Sequence, residues 1–348
     1  MKMFRIAFLS VVFAGFACWG QVRRLTDFDF PDPTVWTAVD GRHYAVASGL
    51  DRTLVSDDFF TWRDAGFKIV DDETRRELES LSIGEKDFAK AHGLWAPDVA
   101  KVGEKWILAL ALYKSAQDSR IVSLVADAPE GPFRDPRTLT WSVETKIADT
   151  IDPEVVCADG RVFLFFGSLG GIHLLELTPD ARAPRTNAPP LRIAGIDGGY
   201  HLEHVRKDRL RHFEGAYLHR RNGYWYLFAS AGVFNDHTYR IVVGRSRSLS
   251  GPYLSRSGLD MRDGASTVVF ATGKGERFFG PGHNGEIFSK DGRDYLYYHV
   301  HDRDLPGCGS YVPRPFAMSE IRWTDDGWPF LPGVYPFLDR QNASHPDE

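Results

Sequence analysis

The sequence is poor in the features that mark several large classes of protein. Only three cysteines occur in 348 residues, at positions 18, 157 and 308. Cys157 and Cys308 fall in distant parts of the chain, so no disulfide framework is expected to hold the fold. Helical periodicity is also scarce, since only one segment, starting at Asp72 and continuing to about Ala91, has the apolar spacing of an amphipathic helix. The fold is therefore expected to consist almost entirely of strands.

An excess of basic residues is also missing. The 42 Lys and Arg residues against 47 Asp and Glu residues give a net charge of −5 with no basic stripe, which argues against nucleic-acid binding. The glycine runs Gly198-Gly199 and Gly273-Lys-Gly275 do not lie between a strand and a helix, so no phosphate-binding loop is predicted. His201-Leu-Glu-His204 lacks the spacing of a zinc-protease helix.

The one long apolar run is N-terminal. Lys2 and Arg5 precede apolar residues over 6–17 and small residues up to Gly20, a pattern typical of a bacterial secretory signal. We expect residues 1–20 to be a signal peptide, and the mature protein to be secreted, periplasmic or held at the cell surface. Gly15-Phe-Ala-Cys18 is similar to a lipobox, so a lipid anchor at Cys18 is the one membrane attachment considered.

A repeated phrase dominates the rest of the chain. A turn glycine followed by an apolar strand recurs at intervals of 57 to 69 residues, at Gly41, Gly103, Gly160, Gly223 and Gly292. Such a period suits four-stranded blades arranged around an axis. We predict an all-β fold, a five-bladed β-propeller over residues 25–340, and no separate binding module.

One residue stands eight or nine positions ahead of each turn glycine. These residues are Asp32, Trp95, Asp152, Glu214 and His283. Because equivalent positions of blades form a ring, the five are expected to converge on one central pocket. An isolated Asp-Pro pair is common in turns and loops that have no catalytic role, as at Asp135-Pro136. The shared register is what favours a functional site here.

Three carboxylates at equivalent positions suit the hydrolysis of a glycosidic bond. One carboxylic acid protonates the departing oxygen, and a second carboxylate activates water or attacks the anomeric carbon. A third can raise the pKa of the acid through like-charge repulsion. Trp95 either stacks on a sugar or packs under Pro97. His283 either binds a metal, orients a carboxylate or is structural.

Two further sets of residues fit either a ligand-binding role or a plainer structural one. His299 and His301 share one face of a predicted strand next to Asp302, a spacing that could bind a metal, but surface or loop histidines are the favoured interpretation. Arg314 precedes the last strand and either clamps sugar hydroxyls or pairs with a surface acid. The sequence by itself slightly favours the surface pair.

Short motifs distributed along nearly the whole mature chain resemble glycoside hydrolase family 43. They are Pro31-Asp-Pro33, Trp95-Ala-Pro-Asp98, Gly131-Pro-Phe133, Ile151-Asp-Pro-Glu154, Phe165-Phe-Gly-Ser168, Glu214-Gly-Ala-Tyr217, Tyr226-Leu-Phe-Ala-Ser230 and Gly280-Pro-Gly-His283. The resemblance implies a five-bladed propeller and an inverting hydrolase. It implies Asp32 as general base, Glu214 as general acid, and Asp152 as the residue that orients the acid and modulates its pKa.

The resemblance also suggests which residues bind ligands. Trp95, Ser168 and Arg314 are predicted to contact the sugar, and His283 is placed on the channel axis. Several arabinan-cleaving members of the family hold calcium or another ion there through a histidine and water. We therefore expect that any metal is a structural calcium near His283, held mostly by water.

The substrate expected from the resemblance is an arabinose-containing plant cell-wall polysaccharide. The stretches 167–172 and 243–253 resemble endo-1,5-alpha-L-arabinanases, although Leu169 stands where those enzymes usually have an aromatic pair. An exo-acting alpha-L-arabinofuranosidase, a beta-xylosidase acting on xylan fragments, and a propeller that binds glycans without cleaving them are the alternatives. A monomer is expected.

Overall fold

The computed structural model describes residues 22–81, 93–200, 209–307 and 311–332. Within these ranges the strands form five antiparallel sheets that follow one another along the chain. Each sheet contains one of the five turn glycines, between its first and second long strands. The predicted all-β, five-bladed propeller is confirmed.

The first three blades have four strands each. Their bounds are β2 (Thr34–Thr37), β3 (His43–Val46), β4 (Leu54–Ser56) and β5 (Arg63–Asp64) in blade one; β6 (Leu94–Val102), β7 (Lys105–Ser115), β8 (Asp118–Ala126) and β9 (Arg134–Trp141) in blade two; and β10 (Glu154–Ala158), β11 (Arg161–Phe166), β12 (Ile172–Leu177) and β13 (Leu191–Ala194) in blade three.

Blade four is also four-stranded, whereas blade five includes strands from both ends of the described chain. The bounds are β14 (Phe213–Arg221), β15 (Tyr224–Ala231), β16 (Arg240–Ser246) and β17 (Thr267–Phe270) in blade four; and β18 (Phe278–Gly282), β19 (Ile287–Lys290), β20 (Arg293–Asp302) and β21 (Phe316–Trp323), joined by β1 (Arg23–Arg24) and β22 (Pro329–Phe330), in blade five.

The turn dipeptides explain why the hairpins form where they do. In blades three, four and five the glycine and the residue before it both have positive φ, as in Asn222 (49°) and Gly223 (76°). Two successive positive φ values define the type I′ turn, which Asn-Gly and Asp-Gly favour. The sequence phrase that predicted the blades is therefore the turn that joins their inner two strands.

The core lies between blades. Five clusters of buried side chains each join two successive blades, the last joining blade five to blade one. Strand β11 shows how one sequence serves two interfaces, because Phe163 and Phe165 pack against blade four whereas Val162, Leu164 and Phe166 pack against blade two. Apolar residues on both faces of the strands thus close the ring.

Ring closure differs from the sequence expectation in one respect. Blade one was expected to begin near Thr26, but the segment before it pairs with blade five, with Arg23 opposite Met318 and Arg24 opposite Ala317. An unpaired edge strand exposes backbone donors and acceptors. Joining the N-terminal strand to the last blade covers that edge and ties the two ends of the fold together.

The predicted helix begins as expected, since α1 spans Asp72–Leu81 and buries Leu78. Residues 82–91 of the prediction lie outside the described residues, as do residues 1–20, Cys18 and Cys308. A short second helix, α2, spans Ser142–Thr145. No helix in the described ranges is long and apolar enough to cross a membrane. Cys157 is an exposed free thiol.

Candidate active site

The ring positions share an unusual backbone conformation. The residue at this position has a φ between 44° and 59° in every blade, and the five are Asp32, Ala96, Asp152, Gly215 and His283. Trp95 and Glu214 therefore stand one residue before the ring position rather than on it. A bulge in the first strand of the blade follows each of them, between Trp95 and Asp98 and between Glu214 and Tyr217.

Side chains of the preceding blade hold four of these ring residues by their backbone N–H groups. The bonds are Asp32 N to His299 Nδ1 (3.1 Å), Ala96 N to Ser48 Oγ (2.8 Å), Gly215 N to Asp152 Oδ2 (2.9 Å) and His283 N to Ser230 Oγ (2.7 Å). The left-handed conformation is unfavourable for residues with a side chain. Hydrogen bonds between blades stabilise it and fix where the side chains point.

Asp32 is surrounded by positive and donor groups. Ser48 Oγ donates to its Oδ2 (2.7 Å), Arg314 Nη1 donates to its Oδ1 (3.3 Å), and His283 Nδ1 lies 3.5 Å from Oδ1. Burial alone would raise the pKa of Asp32, but Arg314, His283 and His299 outweigh it and hold that pKa well below its usual range. Asp32 is therefore ionised at neutral pH. Arg314 pairs with this buried acid and not with a surface one.

Asp152 has the opposite electrostatic environment. It is buried, its Oδ2 accepts the Gly215 N–H, and the same oxygen lies 3.9 Å from His283 Nδ1. Burial, followed by repulsion from Glu214 and Asp32, raises the pKa of Asp152 well above its usual range. The three predicted carboxylates are thus close enough to influence one another.

Both carboxylate oxygens of Glu214 have hydrogen-bond partners. Ser168 Oγ donates to Oε2 (2.6 Å) and Tyr239 Oη donates to Oε1 (2.7 Å). These donors come from blades three and four, so the carboxyl group is held across a blade boundary. Ser168, predicted as a sugar-binding residue, lies beside the predicted acid.

A fourth carboxylate and an aromatic stack border Glu214. Burial and then repulsion from Glu214 raise the pKa of Asp149 to about 6, although a hydrogen bond from Tyr113 opposes the rise. The Tyr113 ring stacks on Trp95 with centroids 4.2 Å apart and planes 14° apart. Trp95 is only half-buried. One face of the indole stacks on Tyr113, and the exposed part of the side chain is accessible to a ligand.

His283 lies at the centre of the carboxylates. Burial lowers its pKa, against the opposing effect of Asp32 and Glu214, which favours a neutral imidazole. A Cβ at Gly215 would lie 3.1 Å from His283 Nδ1, so the glycine next to Glu214 leaves room for this ring. No group of three or more His, Cys, Asp or Glu residues in the described part of the chain is arranged to hold a metal ion.

The interpretation of His299 and His301 as surface residues was wrong, because both are buried, at 0% and 1% exposure. They do not form a metal set with Asp302, which pairs with Arg24 and Arg277. His299 Nδ1 accepts the Asp32 N–H, so the imidazole is neutral with its proton on Nε2. Burial, and then Arg314, lower the pKa of His299 to about 3.

A second tier of acids lines the inner strands two or three residues beyond the ring. Asp98 accepts the Val155 N–H (2.7 Å), and Glu154 accepts the Leu218 N–H (2.8 and 2.9 Å). Burial and then repulsion from Asp98 raise the pKa of Glu154 well above its usual range and that of Glu286 to about 7, and burial raises that of Asp98 to about 6. Asp98 and Glu154 thus each link two neighbouring blades.

Sequence reasoning missed Ser48, Tyr239 and His299 as residues of the site. A signal for the serine was present, since Ser48, Ser168 and Ser230 all end the apolar strand of their blade. All three contact the ring or its neighbour. No comparable signal marked the other two, because they meet their partners only through the fold.

Comparison with known proteins agrees with this geometry. The family model described as Glycosyl hydrolases family 43 matches residues 25–329. The chain is 27% identical to an extracellular exo-alpha-(1->5)-L-arabinofuranosidase of Cellvibrio japonicus, covering 92% of this chain and 90% of that enzyme. It is 25% identical to an extracellular endo-alpha-(1->5)-L-arabinanase of Bacillus subtilis, covering 94% of this chain and 76% of that enzyme.

A solved structure gives the same relationship in three dimensions. The alpha-L-arabinanase of Cellvibrio cellulosa, complexed with arabinohexaose, superposes with a TM-score of 0.71 at 26% identity, covering 89% of this chain and 96% of that one. The family model covers most of the chain and all three carboxylates. The chain therefore belongs to glycosyl hydrolase family 43 and is an O-glycosyl hydrolase of the inverting type.

Proposed function

We propose that the enzyme hydrolyses the alpha-1,5-linked backbone of arabinan by a single displacement. The observation that carries the proposal is the grouping of Asp32, Asp152 and Glu214 around His283, in surroundings that leave Asp32 ionised. The names of the relatives supply the sugar, because both enzymes compared above act on alpha-1,5-linked arabinose.

The surroundings of each acid favour a division of labour. Asp32 is ionised and takes a proton from water as general base, while Glu214, held by Ser168 and Tyr239, gives its proton to the departing oxygen. Asp152 binds the backbone N–H next to Glu214 and so orients it. Water attacks the anomeric carbon from the face opposite the leaving group, which gives the inverted sugar.

Three residues are proposed to bind the sugar. Trp95 offers an indole face beside the acid, supported from behind by Tyr113. Ser168 lies against Glu214 and can reach a sugar hydroxyl. Arg314 uses Nη1 for Asp32 and Nε for the Tyr311 hydroxyl, which leaves Nη2 for the substrate.

Endo cleavage is the first candidate mode, favoured by the stretches 167–172 and 243–253. Exo cleavage is the second, favoured by the Cellvibrio japonicus relative. Incubation with linear arabinan, an aryl arabinofuranoside and an aryl xyloside, with products sized by chromatography, separates them. Short oligosaccharides released early from arabinan support endo cleavage, and arabinose alone supports exo cleavage. Release from the xyloside alone, or from none of the three, would contradict the proposal.

Export is proposed on the N-terminal pattern and on the two relatives named as extracellular. Residues 1–20 would be removed, and the enzyme would act as a monomer outside the cytoplasm. Mass spectrometry of the mature N-terminus from medium and membrane fractions tests this. A terminus near residue 21 supports free secretion, a lipidated Cys18 supports an anchor, and an intact Met1 in the cytoplasm would contradict export.

A structural calcium ion near His283 is also proposed. Burial lowers the pKa of His283, which favours the neutral imidazole that binds metals, and its Nδ1 faces Asp32 and Asp152, so Nε2 is the nitrogen for an ion. The described residues bring no further ligands together, so water would complete the shell, which suits calcium. When bound, calcium would supply a fixed positive charge near His283. Unchanged melting temperature and activity after chelation would contradict this.

A further inference from the structure

A directed chain of hydrogen bonds ends on one oxygen of Glu214. The His283 N–H donates to Ser230 Oγ (2.7 Å), the Ser230 hydroxyl is hydrogen-bonded to Tyr239, and Tyr239 Oη donates to Glu214 Oε1 (2.7 Å). A backbone N–H can only donate and a carboxylate can only accept. Because Tyr239 uses its one hydrogen on Oε1, the Ser230 hydroxyl donates to Tyr239, and aligned donors of this kind strengthen one another.

The Tyr239 side chain, the last donor of this chain, is fixed by the packing around it. Tyr239 is 1% exposed, and its ring stacks on His299 with centroids 5.9 Å apart and planes 12° apart. Gly282 makes room for the ring, since a Cβ there would overlap Tyr239 Cε1. Burial, followed by the Glu214 charge, raises the pKa of the phenol well above its usual range, so it stays protonated.

The second oxygen of Glu214 is held differently. Ser168 Oγ lies 2.6 Å from Oε2, and among the described residues it accepts no backbone N–H, so its hydroxyl can donate or accept. The two oxygens are thus not equivalent. A proton on Oε1 would oppose the directed chain, whereas a proton on Oε2 meets a hydroxyl that can rotate.

We propose that Tyr239 is a positioning residue that keeps Oε1 of Glu214 an acceptor and so places the transferable proton on Oε2. In the reaction the Oε2–H bond breaks and the proton joins the departing oxygen as its bond to the anomeric carbon breaks. The attacking water forms the new bond to that carbon and loses its proton to Asp32. The inference rests on the proposed function for its substrate and on the hydrogen bonds for its geometry.

The kinetic test uses a series of aryl arabinofuranosides whose leaving groups differ in pKa. Tyr239→Phe should lower kcat/KM by about 10- to 100-fold for the poorest leaving group and by less than about threefold for the best, because a good leaving group needs little protonation. The matched control is Tyr298→Phe. Tyr298 is buried between blades four and five, and its hydroxyl contacts Ser319 (2.6 Å). An equal loss across the series, or the same pattern in the control, would overturn the proposal.

A second measurement needs no substrate and no folded Tyr239 variant. In proton NMR of the wild-type protein, the Tyr239 hydroxyl should give a slowly exchanging resonance far downfield that moves in Glu214→Gln and remains in Tyr298→Phe. Its absence, or its indifference to Glu214→Gln, would overturn the proposal. If the wild-type enzyme cleaves neither arabinan nor an arabinofuranoside, the proposed function fails, and this spectrum still decides the role of Tyr239.

Discussion

Glu286 offers a stability prediction that can be worked from its surroundings. Burial and then repulsion from Asp98 raise its pKa from 4.5 to about 7. A raised pKa means that the folded state binds the proton more tightly than the unfolded state, so stability falls as pH rises from about 4.5 to about 7. This rise in pKa corresponds to about 3 kcal/mol of lost stability above pH 7.

Glu286→Gln removes that ionisation, so the variant should exceed wild type by about 3 kcal/mol at pH 8 and match it near pH 4. The difference appears as a rise in Tm of roughly 5 °C at pH 8, measured by scanning calorimetry across this pH range. Glu104→Gln, which changes an exposed glutamate on the β6–β7 turn, is the control and should leave Tm unchanged. A Glu286→Gln variant that is destabilised at pH 8, or whose Tm changes equally at every pH, would refute this account of the second tier of acids.

Three further predictions concern the site. Ser48→Ala removes a hydroxyl that contacts both Asp32 Oδ2 and the Ala96 N–H, so kcat should fall about 10- to 100-fold in steady-state assays. Arg314→Lys should move the acidic limb of the kcat/KM profile to higher pH, because burial then raises the pKa of Asp32 against weaker opposition; an unmoved limb would contradict it. Trp95→Ala should raise KM about tenfold with little change in kcat, and an unchanged KM would remove Trp95 from the sugar site.

The propeller could be predicted from the sequence because its signals are local. A turn glycine, preceded by Asn or Asp in four of the five blades, and the apolar strand after it are adjacent in the sequence, and five such phrases fix the number of blades. The pairing of Arg23–Arg24 with blade five could not be predicted in the same way, since it joins residues almost 300 positions apart. Its energetic reason, covering a sheet edge, appears only once the ring is closed.

In the candidate site too, residues with a local sequence signal could be predicted and residues placed by distant contacts could not. Asp32, Asp152 and His283 occupy the ring position and were predicted to do so, whereas Trp95 and Glu214 lie one residue before it. Tyr239 contacts Glu214, and His299 contacts Asp32 across a blade boundary. No sequence motif next to either residue indicates these contacts. The burial of His299 and His301 could not be predicted either, because a histidine-rich strand has the same sequence pattern at the surface and next to the axis.

The assignment of Glu214 as acid and Asp32 as base is tested most directly by removing each from the same reaction. Glu214→Gln should lose roughly 100- to 10,000-fold on arabinan, whose leaving group needs protonation, yet retain most activity on an arabinofuranoside with a good phenolate leaving group. Asp32→Asn should be inactive on both, because water must be activated whatever leaves. Equal losses for the two variants on both substrates would contradict the assignment.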